Sequence, residues 1–208
     1  MSEPEQYARQ ADEWSERAYA DSASYLAHRA DLVVGLGTRL QAGDTVLDLA
    51  CGDAGLGELL LALGFAYRGV DSTPEMVEAA RTRLGDRAPV ELGDLNDYVP
   101  PEPVAATTVF RAIYYAHDRA AFFRHVAGYT QTKLVFDLNP RQYRLRDVVA
   151  DLRSAGLGNV SLRPFFVPQT AALPRPLGAL ARAFERSGPL ARLALRYRFT
   201  YLVAASRS

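Results

Sequence analysis

From residue 45 onward, short apolar runs bounded by charged or glycine-rich turns alternate with stretches of helical periodicity. TVLDLA (45–50) predicts a strand, and LGELLLAL (56–63) a helix that Gly64 can terminate. AYRGVD (66–71) is the next strand. Ser72 or Thr73 then caps a helix with Pro74 at or near its first position, ending near Gly85. PVELGD (89–94) and VAATTVF (104–110) predict a third and a fourth strand. Asp118 caps RAAFFRHVAGY, KLVFDL is a fifth strand, and YRLRDVVADLRSAG is a helix closed by Gly156. NVSLRPFFV and FTYLVAAS give two final strands, separated by a helical piece, PRPLGALARAFERSGPLARLALRYR. Residues 5–34 read as one or two helices with an acidic face and Trp14, Tyr19, Tyr25 and Leu26 turned inward. Such alternation predicts an α/β fold: a doubly wound, seven-stranded, mostly parallel sheet covered on both faces.

Composition narrows the class. At 208 residues the chain is most simply one domain, and 49% hydrophobic with 23% charged residues describes an ordinary soluble protein. The formal net charge is zero, so no global field points to nucleic acid. Lys133 is the only lysine. Cys51 is the only cysteine, which excludes an intrachain disulfide and makes a cytoplasmic location the natural expectation. The polar, acidic start MSEPEQYARQADEWSER does not read as a secretory signal, and no apolar run approaches the roughly 20 residues needed to span a bilayer.

The chemistry sits at the turn after the first strand, where doubly wound sheets place their ligands. In DLACGDAGLGE the glycines are Gly52, Gly55 and Gly57; this spacing misses the dinucleotide fingerprint, and no P-loop lysine follows. Asp71 ends the second strand, 71 − 52 = 19 residues after Gly52, where a carboxylate can accept both hydroxyls of a ribose. Asp94 ends the third strand, next along the same sheet edge. The pattern is a nucleoside site with carboxylates and no phosphate grip. Taken one at a time, Asp48 could be a helix cap, Asp71 a turn former and Asp94 a loop residue. Three acids at three successive strand ends, joined to a glycine turn, are harder to explain by folding needs alone.

VLDLACGDAG, GVDSTPEMVEAAR and ELGDLND, in this order and spacing, resemble the first three motifs of the class I S-adenosylmethionine-dependent methyltransferases. The resemblance extends from about residue 10 to residue 205. It implies that S-adenosylmethionine is the cofactor, with Asp48 and the backbone around Ala50 and Gly52 holding its methionine part. Asp71, with neighbouring Ser72, would hold the ribose hydroxyls, Met76 would pack near the adenine, and Asp94 with Leu95 would contact its amino edge and face. The family often has three alternating glycines; here the first and third are Ala50 and Ala54, and Gly55 is available to compensate. On this resemblance residues 1–40 are lid helices, with Tyr19 and Tyr25 facing the pocket, although an amphipathic helix with aromatic core residues reads equally well. Residues 41–167 are then the cofactor-binding core, 168–198 an arginine-rich helical insertion, and 199–208 the last strand.

Methyl transfer is an in-line displacement, so the protein must align the nucleophile, exclude water and, for a protonated nucleophile, supply a base. The loop after the fourth strand, FRAIYYAHD (110–118), offers His117 as that base, since the histidine pKa lies nearest neutrality; its plain alternative is a loop histidine packed before the helix. Tyr114 and Tyr115 are expected to alternate, one entering the core and one, taken as Tyr115, facing the pocket. Arg111 would orient an anionic substrate or pair with a neighbouring acid. His125 reads as structural and His28 as a lid residue. No Asn/Asp-Pro-Pro-Tyr motif follows the fourth strand, against nucleobase amino methylation, and Asp137 with Asn139 does not make a hard-cation site, so no metal is expected.

Residues 163–208 carry eight arginines (163, 175, 182, 186, 192, 196, 198, 207) against the single acid Glu185, whereas residues 1–31 carry seven acids and three arginines. Leu177, Leu180, Ala181 and Phe184 share a helical face, as do Leu190, Leu193, Ala194 and Tyr197. A basic amphipathic pair of this kind can lie on a membrane surface or admit a lipid-like substrate. The plainer reading is a solvated arginine face over a core-packing helix, or one paired with the acidic N-terminus. The expected function is methylation of a small molecule, at oxygen before nitrogen or carbon, by a monomer or homodimer that binds no nucleic acid. The alternatives are methylation of a lipid- or quinone-like acceptor at a membrane surface, a non-catalytic binding protein that keeps the cofactor fold, and, third, an NAD-dependent dehydrogenase.

Overall fold

The computed structural model describes residues 21–166, 173–195 and 200–207. Its strands are β1 (Thr45–Leu49), β2 (Ala66–Asp71), β3 (Val90–Leu92), β4 (Val104–Val109), β5 (Thr130–Leu138), β6 (Asn159–Phe165) and β7 (Thr200–Ser206). They form one seven-stranded sheet in the order β3-β2-β1-β4-β5-β7-β6. The pairs from β3 to β5 are parallel, and β7 runs antiparallel between β5 and β6. The helices are α1 (Ser22–Gly35), α2 (Gly55–Ala62), α3 (Pro74–Leu84), α4 (Arg119–Tyr129), α5 (Leu145–Ser154), α6 (Arg175–Glu185) and α7 (Pro189–Ala194).

The central strands are apolar at nearly every position because both their faces are covered. Along β5, Leu134, Phe136 and Leu138 belong to one core cluster and Val135 to the other, the period-two division expected of a strand between two helical layers. Residues of α1, α2 and α3 complete the second cluster, and those of α4, α5 and α7 the first. Asp118 caps α4 by accepting from Ala121 N at 3.0 Å, and Gly64 and Gly156 take positive φ just past α2 and α5. Thr73 stands at the start of α3, before Pro74, but its side chain makes no capping bond. The carboxylate of Asp71 takes the N–H of Thr73 instead, at 2.9 Å.

Lys133, on β5, lies beneath the end of α1. Its Nζ donates to Val34 O at 3.1 Å and Leu36 O at 2.9 Å, so a buried cation closes the carbonyl end of that helix. Burial, with a smaller push from the Arg39 charge, lowers its pKa to about 8.

The insertion departs from the reading of a helix whose leucine face packs on the core; the alternative, pairing with the acids of residues 1–20, lies outside the described residues. Gly178 and Glu185 of α6 are buried, while Leu177, Leu180 and Phe184 are exposed, as are Leu190 and Leu193 of α7. Its polar anchor is Glu185, whose Oε2 lies 2.7 Å from His28 Nε2 and whose Oε1 accepts from Phe166 N at 2.7 Å, beside Ala181 against the core and a Phe184–Phe166 ring contact at 5.3 Å. An acid amid arginines thus seats the helix, and the leucine face is left outside. His28, expected as a lid residue, anchors α1 to α6 and stacks on Phe165. Trp14, Tyr19, Arg196, Tyr197 and Arg198 lie outside the described residues. Among those that are described, no helix is long and apolar enough to cross a membrane.

Candidate active site

The carboxyl ends of β1, β2, β3 and β4 surround one cavity of about 370 Å³, within the range of small-molecule and cofactor sites. The turn after β1 forms its floor. Ala50, Gly52 and Ala54 all have positive φ (59°, 57° and 56°), so the chain uses alanine at two left-handed positions that glycine occupies without steric cost. The turn is held by neighbours: Cys51 N donates to Val70 O at 3.0 Å, and Gly52 N to Asp71 Oδ2 at 2.9 Å. Asp53 is structural, accepting from Gly55 N and from Arg83 at 2.8 Å.

Asp48 is buried beneath this turn. Tyr67 Oη donates to its Oδ2 at 3.0 Å and Thr108 Oγ1 to its Oδ1 at 2.6 Å. Desolvation outweighs these bonds and the nearby Arg29 charge, and raises the pKa to about 6. Gly57 owes its identity to this arrangement and not to a ligand: a Cβ there would stand 2.4 Å from the Tyr67 ring. Asp71 is raised too, by burial that its backbone donors at Thr73 and Gly52 only partly offset. Each Asp71 oxygen accepts one of these N–H groups, which leaves lone pairs for further donors.

Beyond β3, Asp94 Oδ1 accepts from Asn96 N at 2.8 Å and Asn96 Nδ2 at 2.7 Å. Asn96 also receives His117 N at 3.0 Å and donates to Tyr115 O at 3.2 Å, which ties the loop after β4 to the Asp94 turn. Leu95 and Met76 are buried in the lining, and Ser72 lies at its exposed edge. At the end of β4, Arg111 has φ 56° and its N–H donates to Asp137 Oδ1 at 2.7 Å.

The two tyrosines correct an expectation. Tyr114 and Tyr115 are both exposed (43% and 38%), with ring centroids 4.3 Å apart, because residues 113–115 form a 3₁₀ turn in which strand-like alternation does not operate. Tyr115 lines the cavity, and His117 is exposed in its lining.

Of the described residues predicted from sequence, Asp48, Ala50, Gly52, Asp71, Ser72, Met76, Asp94, Leu95, Arg111, Tyr115 and His117 lie in this lining, and Tyr25 does not. Tyr19 is outside the described residues, and Tyr25 packs in the core against Phe165, its hydroxyl accepting from the Arg29 guanidinium, instead of lining the cavity. Sequence reasoning missed Arg29, Phe110 and Asn96. Arg29 of α1 is 3% exposed, donates to Tyr25 Oη at 2.8 Å, lies over the Phe110 ring at 4.3 Å, and stands 3.6 Å from Asp137 Oδ2. An arginine inside an apolar helix face was its one available signal. His125, read as structural, is so placed: its Nε2 lies 2.9 Å from Tyr98 O.

Residues 46–132 match the family model of the methyltransferase domain. An uncharacterized methyltransferase of Schizosaccharomyces pombe is 36% identical over 91 residues, which is 43% of this chain and 30% of that protein, so the chain matches less than a third of the relative's length. A solved methyltransferase in complex with the Haloferax volcanii Trm112 activator superposes with TM-score 0.66 at 18% identity, over 96% of each chain. The magnesium protoporphyrin IX methyltransferase of Synechocystis, solved with bound S-adenosylmethionine, gives 0.59 at 16% identity over 100% of this chain and 85% of that one. At such identities these two likenesses are of fold. Residues 46–132 thus match a methyltransferase domain, and the sheet order is that of the class I methyltransferase fold. The cavity suits S-adenosylmethionine: it has the size for a nucleoside ligand, four carboxylates in its wall (Asp48, Asp53, Asp71 and Asp94), and buried apolar Met76 and Leu95.

Proposed function

We propose that this chain transfers a methyl group from S-adenosylmethionine to a small-molecule acceptor, at a hydroxyl oxygen. The supporting observation is that one cavity joins the strand-end carboxylates Asp48, Asp71 and Asp94 to Arg111, Tyr115 and His117 on the loop after β4. When bound, the cofactor supplies an electrophilic methyl carbon on a sulfonium. Asp48 and the turn at Ala50 and Gly52 hold its methionine end, Asp71 and Ser72 its ribose, and Met76, Asp94 and Leu95 its base. Asn96 fixes the His117 backbone, so that the imidazole can take the proton that an acceptor hydroxyl gives up as its oxygen bonds to carbon. Buried Phe110 and Leu95 keep water from the reacting atoms. The acceptor diffuses in, and the enzyme works in the cytoplasm as a monomer or homodimer.

His117→Ala is expected to lower turnover by about 10²-fold while calorimetric titration with S-adenosylmethionine stays unchanged; an unaltered rate removes His117 from the chemistry. A second reading has its own observation, the five exposed apolar side chains Leu177, Leu180, Phe184, Leu190 and Leu193 on α6 and α7. A lipid- or quinone-like acceptor would meet that surface, and rates that rise with acceptor chain length in the same assay would favour it.

A further inference from the structure

A second cleft, of about 820 Å³, opens between α1, α6 and β6. It shares no lining residue with the cofactor cavity. Four guanidinium groups line it, from unrelated parts of the chain: Arg39 after α1, Arg163 on β6, and Arg182 and Arg186 on α6. Two carboxylates stand against them. Glu185 is already committed to His28 and to Phe166 N, which leaves exposed Asp31. Among the described residues, none of the four arginines has a side-chain hydrogen bond or an ion pair.

Other described arginines, among them Arg144 and Arg153, also lack an ion pair; what distinguishes these four is that they share one cleft. Arg29, Arg68, Arg83, Arg87, Arg119 and Arg146 each stand within salt-bridge distance of a carboxylate. Arginines of one charge held around one concavity repel each other, and Lys133 adds a buried cation close enough for Arg39 to disfavour its protonated form. A fold gathers such charges at a cost unless an anion offsets it. Leu32, Leu40 and Phe65 line it too, beside polar Gln41, so the cleft can take an organic group as well as a charge. Guanidinium forks match the oxygens of phosphate, singly and in pairs.

We propose that this cleft is a binding site for a phosphate-bearing ligand, held by Arg39, Arg163, Arg182 and Arg186, and separate from the cofactor site. Inorganic pyrophosphate is the direct probe. Titrated into the full chain at constant ionic strength, it is expected to bind and to raise the thermal midpoint, whereas chloride at the same ionic strength does not. Arg163→Gln with Arg182→Gln should weaken that binding by at least tenfold and leave the affinity for S-adenosylmethionine unchanged. Arg39→Gln, at an exposed position, serves as a second variant whose folding is not in question. Vesicles of phosphatidylglycerol separate the sources of the phosphate: sedimentation with them that both variants abolish assigns a lipid headgroup, and pyrophosphate binding alone assigns a soluble ligand. Absence of binding to either probe overturns the proposal, and so does binding that the arginine substitutions leave intact.

Discussion

Asp48 combines burial, two hydroxyl donors and a pKa near 6. The folded state holds the proton more tightly than the unfolded chain, where the ordinary value is 3.8. Its contribution to stability is therefore full below that value and is lost as pH rises through about 6. Near neutrality Asp48 is an ionised, desolvated carboxylate, and a cation beside it is the natural way to relieve that cost. If it holds the cationic methionine end of the cofactor, binding favours the ionised form, and affinity for S-adenosylmethionine should fall as pH drops below about 6. Asp48→Asn should bind the cofactor more weakly at pH 7.5, by about 1–3 kcal/mol for the lost charged partner, and its calorimetric affinity should be flat between pH 5 and 7. An equally steep profile in the variant would move the titrating group elsewhere. At this scale the acids were legible because each stands within two residues of the end of its strand. Thr108 and Tyr67, which hold Asp48, come from neighbouring strands at separations of 60 and 19 residues, and only the sheet register joins them.

At the scale of elements, α2 lies so close to β2 that Gly57 and the Tyr67 ring occupy what would be one Cβ position. Gly57→Ala should displace that ring, break its bond to Asp48 and destabilise the chain by about 1–3 kcal/mol, the usual cost of overpacking. Urea unfolding measures this directly, and a loss below about 0.5 kcal/mol would mean that α2 shifts freely. The helices and strands themselves were legible from periodicity and caps, down to Asp118, Gly64 and Gly156. Local patterns failed where a tertiary contact decided the outcome. Tyr114 and Tyr115 follow a 3₁₀ turn instead of a strand, and α6 is seated by Glu185 while its leucines stay outside. Hydrophobic periodicity marks an amphipathic helix but does not say which face a buried acid will choose.

Across the whole molecule, α1 is the wall common to both cavities: Leu26 and Arg29 line the cofactor side, and His28 and Asp31 the arginine cleft. Lys133 fastens its end to β5, the strand where the parallel part of the sheet meets the antiparallel part. Its lowered pKa means that the unfolded chain, with an ordinary value of 10.5, binds the proton more tightly than the folded one. Stability of the wild type should accordingly rise as pH increases from about 8 toward 10.5. Lys133→Met strands the carbonyls of Val34 and Leu36 without their donor, yet it also removes a buried charge. At neutral pH these effects oppose each other, so the loss should be small there and should grow with pH as the wild type alone gains. Urea unfolding of both proteins at pH 7.5 and 9.5 gives the comparison, and a constant difference would mean that Lys133 does not titrate in this window. Because α1 also carries Arg29 into the cofactor cavity, the same variant should bind S-adenosylmethionine less tightly, although residue 133 lines neither cavity.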